Sequence, residues 1–348
     1  MESDATQIVN SPAASAWLAR GAPCTVDEVA GLFDEGSVLL RGNPYALEAP
    51  KNTQRARRSD WKVFLSFCQE RNFLPLPAAP AVVAAFLESM SAPIGESLAR
   101  SVATLQRYLS TIAHAHTLSD LPDPTRTAYV KGALKKLARG QPKSQPMQAL
   151  RWEAIAVALR SLNTGSVTWD LRAKALLAVA YSTMARRAEL VALTVERIQI
   201  DTAGEGIALI CMSKVDREEP RFLGAEVVRH LKAWIEHAGI TSGPIFRRIE
   251  NTGLVGERAL HPQEVGRMIQ RIADWMNAHG HPWPDLRLGA HSTRIGAAHD
   301  MVAAGIDLTS IMHAGGWNDP KMPRYYTREL AAKDSGMARL VRARDAAK

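Results

Sequence analysis

The stretch HSTRIGAAHDMVAAGIDLTSIMHAGGWNDPKMPRYY, residues 291–326, carries the strongest structural signal in this chain. Helical spacing runs through it and is interrupted at one glycine and at the GGW triplet, which predicts consecutive short helices. His291 and Arg294 lie three residues apart, so they share one helix face. Tyr325 and Tyr326 follow in a charged, turn-like context. The segment therefore brings imidazole, guanidinium, indole and phenol groups together within a short length of chain.

Each of these signals is weak when it stands alone. An H-x-x-R pair is most simply explained by a surface helix with one capped histidine, and a tyrosine is usually a packing residue. A phenol with a pKa near about 10 is a poor nucleophile unless neighbouring cations activate it. An arginine fork suits a phosphate, however, and an imidazole beside it can donate or accept one proton.

Composition describes a globular protein with an excess of positive charge. The chain has 348 residues, of which 46% are hydrophobic, and a formal net charge of +8. That length suits two domains, and the charge indicates a polyanionic partner. No apolar run approaches the span of a bilayer, and the polar N-terminus lacks the pattern of a signal peptide. We therefore expect a cytoplasmic protein that associates with the nucleoid.

The cysteines and histidines favour neither a disulfide framework nor a metal site. The cysteines are scattered, odd in number and form no C-x-x-C pair: Cys24, Cys68 and Cys211. A group of histidines lies close in sequence but lacks the usual zinc-ligand spacing and any cysteine partner: His279, His281, His291 and His313. We expect no metal and no other cofactor.

Hydrophobic periodicity predicts a mainly α, two-domain protein. Residues 1–35 are expected to be a tail with one short helix, and residues 36–139 an all-helical domain. Residues 140–149 contain two prolines with polar spacers and are predicted to be an interdomain linker. Residues 150–348 are expected to form a mostly helical domain with a small antiparallel sheet.

Several elements can be placed more closely. Thr25 is the expected N-cap of the short helix in the tail. The helix predicted over residues 52–72 has one apolar stripe: Trp61, Phe64, Leu65 and Cys68. The helix predicted over residues 96–118 has another: Leu98, Val102, Leu105 and Leu109. Strands of the sheet are predicted at VERIQI and GIALICMSK, which are rich in β-branched residues and have glycines between them.

Two acid-poor basic clusters flank the first domain. The first, within KNTQRARRSDWK, includes Arg55, Arg57, Arg58 and Lys62. The second runs towards the linker and includes Lys131, Lys135, Lys136 and Arg139. A solvated helix face is the ordinary explanation of a single charge run. Two such clusters, one of them entering a linker, favour a clamp that closes around double-stranded DNA with its linker beside the phosphates.

The C-terminal segment resembles the tyrosine recombinases, also called phage integrases. Their pattern is H-x-x-R, then a His or Trp after a glycine, then a tyrosine nine residues later. Here it falls on His291, Arg294, Trp317 and Tyr326, and this spacing selects Tyr326 over Tyr325. The motif is highly specific, and a weaker resemblance covers most of the chain from about residue 30.

The remaining site residues of the family have counterparts upstream. The form T-x-x-R-x-x-E supplies Arg186 and Glu189, and the distance to Glu189 favours Arg186 over its neighbour Arg187. The family's lysine lies on a hairpin after that helix, where ICMSKVDREEP supplies Lys214. Every position of the pattern is thus filled in the family's order.

The resemblance implies an enzyme that is a site-specific recombinase. The tyrosine would attack a DNA phosphodiester and form a 3′-phosphotyrosine, while the two arginines hold the nonbridging oxygens. The histidine would help to remove the phenol proton, and the lysine would protonate the leaving oxygen. Because the new ester conserves the bond energy, ATP is not expected, and because the cations are all side chains, a metal is not expected either. The final helix, within DSGMARLVRARDAAK, would dock into a neighbouring subunit of a homotetramer that joins two sites, each an inverted repeat.

Base reading and two alternative functions complete the expectations. Gln263 and Arg267, near the start of a predicted helix, suit adenine and guanine edges respectively. A type IB topoisomerase-like nicking-closing enzyme would share the tyrosine chemistry without a tetramer or a specific site, and the C-terminal helix argues against it. A noncatalytic DNA-binding regulator on the same fold would require a broken site, and none of the pattern's positions is broken.

Overall fold

The computed structural model describes residues 26–34, 49–92, 99–119, 121–141, 147–212, 217–281, 283, 288–333 and 335–346. The chain divides into two compact units, Met1–Ser144 and Gln145–Lys348. Both units consist mainly of helices, which confirms the predicted mainly α class. Among the described helices, none combines the length and the apolar character needed to cross a bilayer.

The first unit is helical wherever it has regular described structure. Its helices are α1 (Val26–Ala30), α2 (Lys51–Glu70), α3 (Pro80–Ser91), α4 (Val102–Leu118) and α5 (Ala128–Gly140). The predicted apolar stripe of α2 is confirmed, because its members are all buried: Trp61, Phe64, Leu65 and Cys68. Aromatic rings join α2 to α3, where Phe64 and Phe86 meet edge to face with their centroids 5.1 Å apart.

The start of α4 differs from its prediction. A helix was expected from residue 96, but residues 99–101 are irregular and α4 begins at Val102. Ser101 provides the cap, because its side chain accepts a hydrogen bond from the Thr104 amide at 3.3 Å. Leu98 and Thr25, the expected cap of α1, lie outside the described residues.

The second unit combines helices with small antiparallel sheets. Its described helices are α6 (Trp152–Ser161), α7 (Val167–Thr183), α8 (Arg187–Val191), α9 (Ala225–His237), α10 (Pro262–Ala278), α11 (Ser292–Ala303), α12 (Leu308–Gly315), α13 (Lys321–Lys333) and α14 (Gly336–Ala346). The helices predicted over residues 291–326 are confirmed as α11, α12 and the start of α13. The breaks between them fall at Gly305 and at the GGW triplet, as expected.

The sheets were only partly predicted. Within the described residues, one sheet contains β1 (Ile198–Ile200), β2 (Gly206–Met212) and β3 (Arg217–Leu223), and the other β4 (Arg247–Ile249) and β5 (Val255–Ala259). β1 and β2 were predicted, although the first half of VERIQI forms a 3-10 turn instead of strand. β3 was implied only by the family's hairpin at Lys214 and not by periodicity, because Glu219 and Arg221 occupy its buried face and remove the apolar alternation of an ordinary strand.

A close backbone crossing holds α11 in the second unit. Gly296 faces the chain at Leu150, and a Cβ added to it would lie 1.8 Å from the Leu150 carbonyl oxygen, so only glycine fits. The Leu150 amide donates a hydrogen bond to the Ser292 carbonyl oxygen at 2.8 Å. The first turn of α11 is therefore fixed against the start of the second unit.

Candidate active site

Arg294 lies at the centre of a cluster of polar and aromatic side chains. The residue is 4% exposed. Its two terminal nitrogens donate hydrogen bonds to the carbonyl oxygens of Met184 and Gly315. These bonds connect α11 with the end of α7 and with α12. A guanidinium has five N–H groups, so these two carbonyls leave it able to bind a further acceptor.

The charge of Arg294 is incompletely balanced by its surroundings. Burial and the neighbouring cation Arg186 lower the pKa of Arg294 to about 10, whereas Glu189 opposes the shift. An anion that entered this site would stabilise the buried charge and reverse the shift. The cluster is therefore electrostatically suited to a phosphate group.

The indole of Trp317 contacts both the central arginine and a tyrosine. The guanidinium carbon of Arg294 lies 4.2 Å from the centroid of the Trp317 ring system. The Tyr326 ring packs against the indole with a centroid separation of 6.2 Å. Gly315 makes room for this arrangement, because a Cβ there would lie 2.1 Å from the indole.

An ion pair at the start of α8 orients a second arginine. The Arg186 amide donates to Glu189 Oε2 at 2.8 Å, and its guanidinium donates to Oε1 at 2.7 Å. Glu189 is 4% exposed, so its carboxylate is a fixed acceptor. Arg186 is half-buried, whereas Arg187 is exposed. This geometry brings Arg186 near Arg294, and the two like charges act on each other.

His291 immediately precedes α11 and remains accessible to solvent. Burial of its ring lowers the pKa of His291, and the charges of Arg294, Arg187 and Arg186 lower it further. The imidazolium form is disfavoured beside three cations, so the neutral ring predominates near pH 7. A neutral imidazole can accept a proton from a reacting group.

The structure distinguishes the two adjacent tyrosines. Burial raises the pKa of Tyr326, while Arg294 and Arg186 act in the opposite direction. His299 Nε2 donates a hydrogen bond to the Tyr326 carbonyl oxygen at 2.7 Å and so fixes its backbone. Tyr325 is 44% exposed, and the guanidinium carbon of Arg328 lies 5.1 Å from the centroid of its ring. The cations Arg294 and Arg186 act on Tyr326, which places this tyrosine in the cluster.

The described members of the predicted catalytic set lie together: Arg186, Glu189, His291, Arg294, Trp317 and Tyr326. They come from the start of α8, from α11 and from the segment α12–α13. Lys214, which belongs to the same predicted set, lies outside the described residues, between β2 and β3.

Sequence reasoning missed Arg221, a buried cation on β3. The residue is 6% exposed, lies 3.7 Å from Glu219 and donates a long hydrogen bond of 3.3 Å to the Pro220 carbonyl. Burial lowers the pKa of Arg221, and the charges of Glu189 and Arg186 also act on it. Arg221 therefore adds positive charge to the cluster. In the sequence, Arg221 is one of four charged residues in β3, and nothing there marks it as buried.

Asp300 was also missed, and it anchors the far end of α11. Its carboxylate accepts hydrogen bonds from the Tyr181 hydroxyl at 2.6 Å and the Trp152 amide at 2.8 Å, and it pairs with Arg151. Burial alone would raise the pKa of Asp300, but these three donors lower it. The helix that carries His291 is thus tied to α6 and α7.

The predicted DNA-binding residues lie on α2, α5 and α10. Most of them are exposed: Arg55, Lys62, Lys131, Lys135, Lys136, Arg139, Gln263 and Arg267. Arg57 is half-buried, with its Nη1 atom 2.8 Å from His114 Nε2. Arg58 donates to the Phe33 carbonyl oxygen at 2.7 Å and lies 3.3 Å from Asp34. Arg58 therefore also has a structural role, holding the segment after α1 on α2.

Asp60, the single acid of the first basic cluster, pairs with an arginine from another helix. Asp60 is 2% exposed and accepts two hydrogen bonds from Arg107 of α4, at 2.9 and 2.8 Å. This bidentate pair holds the Arg107 side chain, which is 55% exposed, beside the cluster. The pairing joins residues 47 positions apart, so spacing in the sequence could not reveal it.

Histidines that were weighed as zinc ligands have other contacts. His279 stacks on Trp275 with the ring centroids 4.0 Å apart. Within the part of the chain that the structure describes, no three His, Cys, Asp or Glu side chains are grouped as metal ligands.

The known proteins that are similar to this chain are integrases and recombinases. The model of the phage integrase family matches residues 152–333, just over half of the chain. The recombinase Cre of Escherichia phage P1 is 28% identical over 320 residues, which cover 84% of this chain and 90% of Cre. An integrase/recombinase XerD homologue of Selenomonas ruminantium is 25% identical over 302 residues, covering 83% and 85% of the two chains.

Solved structures share the fold at lower sequence identity. The Tn1549 transposon integrase, in complex with transposon right end DNA, gives a TM-score of 0.60 at 14% identity, over 87% of this chain and 94% of that one. The XerH site-specific recombinase, bound to a palindromic difH substrate, gives 0.55 at 18% identity, over 80% and 79%. These likenesses concern the fold alone.

Proposed function

This chain belongs to the phage integrase family and is a site-specific tyrosine recombinase, and we propose that Tyr326 is the nucleophile with which it cuts and rejoins DNA. One observation carries the assignment: the Tyr326 ring packs on Trp317 where Arg294 and Arg186 both act on its pKa. Because burial raises that pKa, the phenol depends on these cations and on a base to become nucleophilic.

The proposed reaction exchanges one phosphate ester bond for another. The Tyr326 oxygen attacks phosphorus, and the bond between phosphorus and the 5′ oxygen breaks, which leaves a 3′-phosphotyrosine and a free 5′-hydroxyl. Arg294 and Arg186 bind the nonbridging oxygens, where negative charge grows in the transition state. The phosphotyrosine conserves the energy of the ester, so attack by a 5′-hydroxyl reverses the step without ATP. The guanidinium groups supply the positive charge, and no metal is required.

The protons are moved by side chains. His291, neutral beside three cations, accepts the phenolic proton. Lys214 donates a proton to the leaving 5′ oxygen. Trp317 contacts the same phosphate, and Glu189 is a positioning residue that acts through Arg186.

The DNA-facing surface and the assembly are extensions of this proposal. The exposed basic residues of α2 and α5 bind the phosphates of double-stranded DNA, and Gln263 and Arg267 of α10 read bases. The target is an inverted repeat, and four subunits join two such sites. Helix α14 docks into the neighbouring subunit through its exposed apolar side chains: Met337, Leu340 and Val341. The site of action is the cytoplasmic nucleoid.

Covalent capture tests the nucleophile. The protein would be mixed with a library of nicked DNA duplexes, because a nick lets the short 5′-hydroxyl fragment dissociate and so prevents rejoining. Denaturing electrophoresis would then detect a protein–DNA adduct. Tyr326→Phe is the test variant and Tyr325→Phe the matched control. We expect the adduct to be lost only with Tyr326→Phe, and sequencing of the trapped DNA to give the target site.

Other outcomes would change the assignment. An adduct lost only with Tyr325→Phe would move the nucleophile by one residue. An adduct formed equally on all sequences would indicate a nicking-closing enzyme of the type IB topoisomerase kind. Tight, salt-sensitive DNA binding without any adduct would indicate a noncatalytic regulator.

A further inference from the structure

A second cationic site on the second unit is lined by none of the side chains of the proposed reaction. A cavity of about 350 Å³ opens between α7, the β4–β5 hairpin and the start of α10. Its lining is largely polar: Arg172, Arg248, Ile249, Leu260, His261 and Glu264. The two apolar members form part of the wall beside Arg172.

Arg172 is the buried cation of this cavity, and its donors are incompletely used. The residue is 6% exposed. One terminal nitrogen donates to the Arg247 carbonyl oxygen at 2.7 Å, and the buried Nε has no hydrogen-bond partner among the described residues. A buried guanidinium without an acceptor is costly, so its retention calls for an explanation. Burial lowers the pKa of Arg172 to about 10, partly opposed by Glu264.

Further donors converge on the same cavity. His261 Nδ1 accepts a hydrogen bond from the Gln263 amide at 3.3 Å, which makes Nε2 the protonated nitrogen of the neutral ring. Arg248 is 65% exposed at the rim, in a loose pair with Glu250 at 3.7 Å. The cavity also adjoins the N-terminus of the 17-residue helix α10, whose amide groups and dipole favour an anion.

The acid in the lining cancels this charge only in part. Glu264 acts on Arg172, but it also forms an ion pair with Arg267, one turn further along α10. Its negative charge is therefore shared between the cavity and a partner outside the lining. Arg172 and Arg248 are cationic, and the His261 ring presents a donor, so the cavity suits a compact anion with several acceptor oxygens.

We propose that this cavity binds one backbone phosphate of the DNA substrate and thereby sets the register of α10 on the duplex. The argument rests on the proposed function, since it takes DNA as the substrate. Gln263 and Arg267 are exposed on the first turns of α10, directly after the cavity residue His261. A phosphate held at the helix start fixes where those side chains meet the base edges. Arg172 and Arg248 would hold that phosphate, with His261 donating a third hydrogen bond.

The salt dependence of DNA binding tests the proposal. Binding would be measured with a random-sequence duplex at several salt concentrations, in a Tyr326→Phe background so that cleavage does not intervene. Arg248→Gln should reduce the slope of log affinity against log salt by about 0.9, the value for one lost phosphate contact. Arg229→Gln is the matched control, because Arg229 is 70% exposed on α9 and pairs only loosely with Glu226 at 3.6 Å. We expect its slope to be unchanged.

A second measurement locates the phosphate. On the target site recovered by covalent capture, single phosphates would be replaced one at a time by uncharged methylphosphonate. One position should weaken binding by the wild-type protein and have little effect on Arg248→Gln, because the partner is already lost. Arg172→Lys, which keeps the charge but not the fork, should weaken binding at the same position while thermal melting shows that it is folded.

Three results would overturn the proposal. The first is an equal change of slope for Arg248→Gln and Arg229→Gln, which would reflect general charge. The second is an inorganic phosphate site that Arg248→Gln abolishes while DNA binding is unaffected, which would identify a site for free anions. The third is a wild-type protein that binds no DNA, which would overturn the proposed function as well. Covalent capture distinguishes the two failures: no adduct forms if the proposed function is wrong, whereas the adduct still forms if only the cavity proposal is wrong.

Discussion

Replacing Gly315 with alanine tests whether the position of the Trp317 indole controls the rate of cleavage. The added Cβ would lie 2.1 and 2.2 Å from two ring carbons, whereas ordinary contact begins at 3.4 Å. The indole must therefore move by more than about 1 Å, and this movement disrupts its stack on Arg294, which lies 4.2 Å from the ring centroid. The Tyr326 ring, which packs on the same indole, loses its support.

The size of the effect can be derived from this displacement. Misplacing a reacting group by about 1 Å costs on the order of 10²-fold in rate. Overpacking lowers the free energy of unfolding by about 1–3 kcal/mol. Alanine in place of a helical glycine raises it by at most about 0.5–1 kcal/mol, which offsets part of that loss. We therefore expect Gly315→Ala to remain folded, to lose about 1–2 kcal/mol of unfolding free energy, and to cleave roughly 10²-fold more slowly.

The assay is single-turnover formation of the covalent adduct on the captured target, with urea unfolding measured alongside. Gly132→Ala is the matched control, because Gly132 also lies in a helix but a Cβ there would meet nothing within 4 Å. The decisive variant is Gly315→Ala combined with Trp317→Ala. Removal of the indole removes the clash, so Gly315→Ala should then add no further loss of rate.

Two results would refute this reasoning. Cleavage at the wild-type rate by Gly315→Ala would mean that the indole position does not matter to the reaction. An equal loss of rate in the presence and absence of the Trp317 side chain would mean that the added methyl group acts by another route.

Three further predictions concern the surrounding charges. Glu189→Ala should lower the unfolding free energy, measured by urea unfolding, by about 3 kcal/mol. This is the lower end of the range for a broken buried ion pair, because water can reach part of Arg186. An unchanged urea midpoint would contradict this prediction. Arg221→Leu should slow adduct formation while the melting temperature changes little, because buried Glu219 keeps its ion pair with Arg217 when Arg221 is removed. An unchanged rate would exclude a role of Arg221 in the cluster. The cleavage rate should fall as the pH drops below 6.5, because the pKa of His291 lies below that value and protonation removes the base. Two results would contradict the assignment: a loss of rate at acidic pH that is centred above 6.5, or the same loss of rate in His291→Asn.

Periodicity in the sequence predicted those helices whose apolar faces form a core. The stripe of α2 and the breaks between α11, α12 and α13 are of this kind. The start of α4 was placed too early. Ser101 is the N-cap, so the helix begins after this residue regardless of the apolar residues before it. Periodicity did not reveal β3, because charged residues occupy two of its buried positions. The β4–β5 hairpin was missed because its strands are short and partly charged.

The candidate site could be predicted where it depends on local spacing and not where it depends on tertiary contacts. The motif around His291 and Arg294 could be found from residue types and intervals alone. The contributions of Arg221, Asp300 and Arg107 could not, because each depends on contacts with residues that are distant in the chain or buried on a strand that the sequence does not reveal. Asp300, for example, meets Tyr181 across 119 positions.

The bonds of Arg294 also decide what happens when the molecule partly opens. If α12 lifts away, the hydrogen bond to Gly315 and the stack on Trp317 are lost together. The Tyr326 ring then loses the indole on which it packs, while His299 still holds the Tyr326 backbone against α11. A molecule that has opened locally at α12 therefore keeps its nucleophile but lacks a complete phosphate site. For an enzyme that severs DNA, the consequence is that opening of this helix stops cleavage before the tyrosine itself is displaced.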